Sequence, residues 1–91
     1  MLIRIFVLDR GFVLVGRCEN FTGMGMWVPV HDCRCVRRWG TTQGLAELAS
    51  KGPTRETQMD AVAILITVPV RAIIQVIEVE QSKWESHLTT K

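Results

Sequence analysis

Leu2-Ile3-Arg4-Ile5-Phe6-Val7-Leu8-Asp9-Arg10-Gly11-Phe12-Val13-Leu14-Val15-Gly16-Arg17 reads as two strands joined by a tight turn. β-Branched and aromatic residues fill both halves, and Asp9-Arg10-Gly11 supplies turn chemistry between them. The first strand covers 2–8, with Ile3, Ile5 and Val7 on one face, and the returning strand covers 12–17. Both are apolar on nearly both faces, so the sheet they begin needs cover on two sides.

Working outward, residues 19–25 form a polar, glycine-containing loop, and 26–36 read as a third strand in which Pro29 marks an edge or a bulge. A helix is expected over 42–51. Leu45, Leu48 and Ala49 make its apolar stripe, Lys51 suits its negative end and Gly52-Pro53 stops it. After a connector over 54–60, Ala61 to Val68 is a fourth strand ended by Pro69, and 72–79 a fifth. The order is βββαββ: an α+β domain with a small twisted antiparallel sheet or open barrel and one short helix. The domain is expected over 1–80. Residues 81–91 form a polar C-terminal tail whose Trp84 and Leu88, four apart, suit a short amphipathic turn that docks on a neighbouring subunit or frays. One short helix covers one face only. The second face therefore meets another copy, as a homo-oligomer, or closes into a barrel.

The chain has 91 residues, 47% hydrophobic and 22% charged, which describes one globular domain. A net charge of +2 argues against nonspecific coating of nucleic acid. Eight of the eleven basic residues are arginine, which favours bidentate recognition of phosphate or carboxylate. They cluster, with Arg34, Arg37, Arg38, Lys51 and Arg55 set against Glu47 alone in that span. Arg4 interrupts the apolar start and no cleavage site follows, so no signal peptide is expected. Pro69, Arg71 and Gln75 break the longest apolar stretch, so no membrane span is expected. Three cysteines without a secretion signal imply reduced thiols in a cytoplasmic setting.

The stretch with most chemical content is Arg37-Arg38-Trp39-Gly40-Thr41-Thr42-Gln43-Gly44, at the mouth of the helix. Unpaired N–H groups and the positive dipole end make a helix start an anion site. Arg37 and Arg38 would contact phosphate, Trp39 would stack on a base, and Gly40, Thr41 and Thr42 would donate hydrogen bonds. Arg17, Arg34 or Arg10 would complete such a pocket. The plain structural reading of the same residues is a threonine cap, a core tryptophan and solvated arginines.

Other constellations are weaker. His31, Cys33 and Cys35 alternate and would share a strand face, but neighbours at i, i+2 lie about 7 Å apart and no knuckle motif accompanies them. No base and orienting group flank a cysteine, and no carboxylate pair is forced together. No catalytic residue, metal site or cofactor is indicated.

The segments Arg10-Gly11-Phe12-Val13-Leu14-Val15-Gly16-Arg17, Val36-Arg37-Arg38-Trp39-Gly40-Thr41-Thr42-Gln43-Gly44-Leu45 and Glu47-Leu48-Ala49 with Gly52-Pro53-Thr54 resemble a family of small uncharacterised bacteriophage and prophage proteins. The similarity spans about residues 3–70 and implies a setting in the cytoplasm of an infected bacterium. In that setting the arginine, tryptophan and threonine set suits a non-enzymatic homo-oligomer that sequesters a phosphate-bearing small molecule. A host immune nucleotide signal, such as a cyclic dinucleotide or an ADP-ribose derivative, is the expected ligand. The alternative is a protein-interaction module that inhibits a host protein, with the same basic rim and Met24, Met26 and Trp27 as an apolar contact.

Overall fold

The computed structural model describes residues 1–19 and 26–89. Strands β1 (Leu2–Leu8) and β2 (Val13–Cys18) form the expected hairpin, paired Ile3 to Arg17 through Val7 to Val13. Its turn holds Arg10 at φ 63° and Gly11 at φ 85°. The loop expected over 19–25, Met24 included, lies outside the described residues apart from Glu19.

Strand β3 (Trp27–Arg38) is the spine, pairing with β2 on one edge. Its other edge carries β5 (Ala63–Pro69) and the short β4 (Gln58–Met59), which forms within the expected connector. Helix α1 (Leu45–Lys51) starts three residues later than expected and ends where Gly52 caps it, the Gly52 N–H donating to the Leu48 carbonyl at 3.0 Å. Strand β6 (Ile73–Glu78) pairs with β1, and helix α2 (Gln81–Trp84) with a 3-10 turn over 85–88 completes the chain. The element order is therefore βββαβββα. Relative to the expected βββαββ, the additions are β4 and a C-terminal helical segment.

The strand order β5-β3-β2-β1-β6 forces the sheet to coil. In a flat sheet β5 and β6 would stand about 19 Å apart, four spacings of about 4.8 Å. A three-residue 3-10 turn, Val70–Ala72, joins them, and such a link reaches at most about 14 Å. The two edges therefore converge at that end, although no ladder links them among the described residues.

The coil accounts for cover on both faces. Phe6, Leu14, Cys18, Val28, Val30, Cys33 and Val68 cluster with strand residues only, which places them on the concave side. Ile3, Ile5, Val13, Val15 and Val36 lie on the other face beneath Leu48, Ala49, Trp84 and Leu88. The C-terminal segment is thus no free arm. Trp84 is fully buried and its Nε1–H donates to the Leu48 carbonyl at 3.2 Å. Gln81 hydrogen-bonds both the N–H and the carbonyl of Ile3, extending the β1 pattern past its β6 partner. The domain runs through Leu88, and the uncovered second face that favoured a homo-oligomer is covered within one chain.

One irregularity in β3 controls which side chains face where. Residue pairing to β2 shifts between Arg17–His31 and Val15–Arg34, and Asp32 takes φ 50° inside that bulge. The extra residue inverts the alternation. Val28 and Val30 point into the concave core before it, and Cys33 and Cys35 after it. His31, opposite Arg17, therefore lies on the other face, and the expected His31, Cys33 and Cys35 row does not exist. Gly16 faces the bulge, and a Cβ there would sit 2.5 Å from Val30 Cγ1 and 3.0 Å from the His31 carbonyl. Among the described residues, no helix is long and apolar enough to cross a membrane.

Candidate functional site

Residues 39–44 leave the end of β3 as an irregular loop, and the start of that loop is fastened to residues 54–57. Thr57 Oγ1 donates to the Trp39 carbonyl at 2.6 Å, and Thr54 Oγ1 to the Gly40 carbonyl at 2.7 Å. Gly40, at φ 72°, lies so close to the Glu56–Thr57 backbone that a Cβ would fall 2.4 Å from the Thr57 nitrogen. Sequence reasoning missed Thr54 and Thr57 as members of this loop pair. Gly52-Pro53-Thr54 signalled a stop, but nothing local signalled which loop it would meet.

The expected anion contacts are in large part engaged internally. Arg37 Nε and Nη2 grip the Asp60 carboxylate at 2.8 to 3.1 Å. That guanidinium, by hydrogen bond and charge, holds the Asp60 carboxyl below the ordinary carboxylate range, and Arg34 adds to it. Arg34 donates to three backbone carbonyls, those of Asp60, His87 and Met59, at 2.7, 2.9 and 3.5 Å. It acts as a clamp between the sheet and the C-terminal turn. Arg17 Nε meets Asp32 Oδ2 at 3.2 Å, away from the loop. Arg10 stays in the exposed β1–β2 turn.

The mouth of α1 is likewise occupied. Glu47 Oε1 accepts from Gln43 N–H at 2.9 Å and from Thr42 Oγ1 at 3.1 Å, so this carboxylate takes the place of an outside anion. Thr41 Oγ1 donates to the Gly44 carbonyl at 2.7 Å. Two members of the expected set remain outward-facing. Trp39 is 42% exposed, and the Arg38 guanidinium has no hydrogen-bond or ion-pair partner among the described residues.

A hollow of about 280 Å³ lies at the opposite end of β3, lined by Met26, Trp27, Pro69, Val70 and Arg71. Met26 is 74% exposed and Trp27 56%. The lining is apolar, with Arg71 the one charge among the named residues. A pocket at the lower limit of ligand sites, with so few polar groups, suits one apolar side chain better than a nucleotide.

Two of the three cysteines have raised thiols. Cys33 is buried, and burial, with a smaller effect of Cys35, pushes its thiol up to about 12. Burial also raises the Cys18 thiol, whose Sγ–H donates to the Glu19 carbonyl at 3.0 Å. No cluster of three or more His, Cys, Asp and Glu side chains suited to a metal occurs among the described residues.

Comparison of the chain with protein-family models, with curated proteins and with solved structures finds no match.

Proposed function

We propose that this chain is a non-catalytic binding module that takes an apolar anchor of a protein partner into the hollow beside Trp27. The observation that carries this reading is the contrast between the two ends of β3. At one end Arg34, Arg37 and the helix mouth are satisfied internally, which leaves Arg38, among the described residues, as the one free guanidinium of the basic cluster on that strand. At the other, Met26 and Trp27 stand exposed around an apolar cavity. Interface hot spots are enriched in tryptophan set beside such pockets. The resemblance to small phage proteins makes a host protein in the cytoplasm of an infected bacterium the natural partner.

One observation favours a second reading. The Arg38 guanidinium has no partner among the described residues, Trp39 next to it in the chain is 42% exposed, and the exposed Arg55 lies in the turn fastened to that loop. A free guanidinium and an exposed indole on consecutive residues suit a phosphate-bearing base, and this is the surface on which a nucleotide signal would be sequestered.

Selection of peptides from a random library, followed by titration against wild type, Trp27→Ala and Arg38→Ala, separates the two. Peptides with a large apolar anchor, weakened tenfold or more by Trp27→Ala and unaffected by Arg38→Ala, are expected. A nucleotide panel tested by thermal shift gives the other arm. Stabilisation of several degrees by one compound, about 2.7 kcal/mol at a hundredfold excess over Kd, lost in Arg38→Ala and kept in Trp27→Ala, would overturn the protein-partner reading.

A further inference from the structure

We propose that two copies of this chain join edge to edge through β5, in antiparallel register about a two-fold axis at Leu65. This surface is independent of the hollow beside Trp27, since Leu65 does not line it.

The direction of the free hydrogen-bonding groups follows from the β3–β5 ladder. Trp27 pairs with Pro69, Val28 with Val68, Pro29 with Thr67, Val30 with Ile66 and His31 with Leu65. The next pair in the same register is Met26 with Val70, and there the Val70 N–H donates to the Met26 carbonyl at 2.9 Å. Bonded and non-bonded pairs alternate along an antiparallel ladder. The bonded pairs are therefore those of Val28 with Val68 and Val30 with Ile66. Pro29 and Pro69, which lack an N–H, fall at the non-bonded positions as they must. It follows that Ala63, Leu65 and Thr67 turn their N–H and carbonyl groups away from β3, toward an edge that no strand covers among the described residues.

Natural edge strands are blunted by charge, proline, a bulge or a covering element. This one carries no charge from Ala61 to Val70, and its one proline stands at its end. Ile64 is 82% exposed and Leu65 48%, so both faces of the strand present apolar side chains. An uncharged strand meets its own copy without like-charge repulsion, which is the first requirement of an isologous interface.

The free groups also select one register. With Leu65 opposite the partner's Leu65, Ala63 faces the partner's Thr67, and all three outward residues form bonded pairs within the strand. On the pleat between, Ile64 lies against the partner's Ile66. Sliding one way sets Ala63 opposite the partner's Pro69, which cannot donate. Sliding the other way sets Thr67 opposite the partner's Ala61, which lies outside the strand.

Sedimentation equilibrium at tens of micromolar should give twice the 10.3 kDa chain mass. Leu65→Pro removes an outward N–H while leaving the β3 ladder bonded, and should give a monomer with an unchanged near-ultraviolet spectrum. Mild oxidation reads the register directly and needs no destabilised variant. Leu65→Cys sits on the axis, at about 5.5 Å from its mate, and should form a disulfide dimer. Thr67→Cys, about 13 Å from its own copy, should not, and neither should wild type. A monomeric wild type overturns the proposal. So does a dimer in which Leu65→Cys stays unlinked or Thr67→Cys links equally well.

Discussion

Arg37 and Asp60 form a forked ion pair, with both Nε and Nη2 of the guanidinium within 3.1 Å of the carboxylate. The pair ties the end of β3 to the residue that follows β4, and Arg34 holds the Asp60 carbonyl from the other side at 2.7 Å. Asp60, which looks like part of a plain connector in the sequence, thus holds two arginines, Arg37 by its carboxyl and Arg34 by its backbone carbonyl.

This pairing has a pH signature. The Asp60 carboxyl titrates below its ordinary value when folded, chiefly through its hydrogen bonds to Arg37. A carboxyl depressed in the folded state contributes stability above its unfolded value, and that contribution is lost as pH falls through the folded one. Thermal midpoints of wild type and Asp60→Asn, measured from pH 7 downward, should differ near neutrality and converge below about pH 4. A gap that stays constant down to acid pH would show that the ion pair adds nothing.

Arg34→Met removes a charged donor from three carbonyls at once, including that of His87. Hydrogen bonds from charged groups contribute about 1.5–3 kcal/mol, so chemical denaturation should register a loss of about 2–3 kcal/mol. Amide exchange in residues 85–88 should speed up more than in β2. If instead an anion at this site held Arg34 in place, phosphate would stabilise wild type and not the variant.

Trp84→Ala should cost ~3–5 kcal/mol, because it empties the space between α1 and β1 and removes one of the two donors to the Leu48 carbonyl. Removing residues 81–91 should be at least as damaging. A truncated chain that kept wild-type stability in urea would return the segment to the status of an arm.

Gly16→Ala places a methyl against Val30 Cγ1 and the His31 carbonyl, where the bulge leaves no room. Overpacking of this kind costs about 1–3 kcal/mol, read as a lower urea midpoint with the slope unchanged. An unchanged midpoint would mean that the bulge at Asp32 relaxes without cost.

Cys33 should resist a disulfide reagent at pH 8 in the folded protein and react once urea is added, since its thiol ionises only near pH 12 when folded. The unfolded thiol ionises near 9, so the folded state holds more protons between the two values. Stability should therefore fall as pH climbs past 9, less so in Cys33→Ala. Rapid labelling of native Cys33 at pH 8 would contradict its burial.

The amino-acid sequence by itself determined five of the six strands, the hairpin, the stop of α1 at Gly52-Pro53 and the α+β class. These rest on alternation, β-branched content and turn chemistry, which act between residues close along the chain. It also determined that Arg34 lies on the face opposite Cys33 and Cys35, because those positions follow one another after the bulge. Only the tertiary structure decided the rest. Whether a guanidinium meets a ligand or its own chain depends on partners far away in sequence, and Arg34 finds His87 from 53 positions off. The face of His31 turned on a single inserted residue at Asp32, since a one-residue shift inverts a strand. The fate of Trp84 and Leu88 turned on the coil of the sheet, which left one convex face for α1 and the C-terminal turn to share. The uncapped edge at β5 emerged from the same coil, because β5 and β6 converge at one end without pairing.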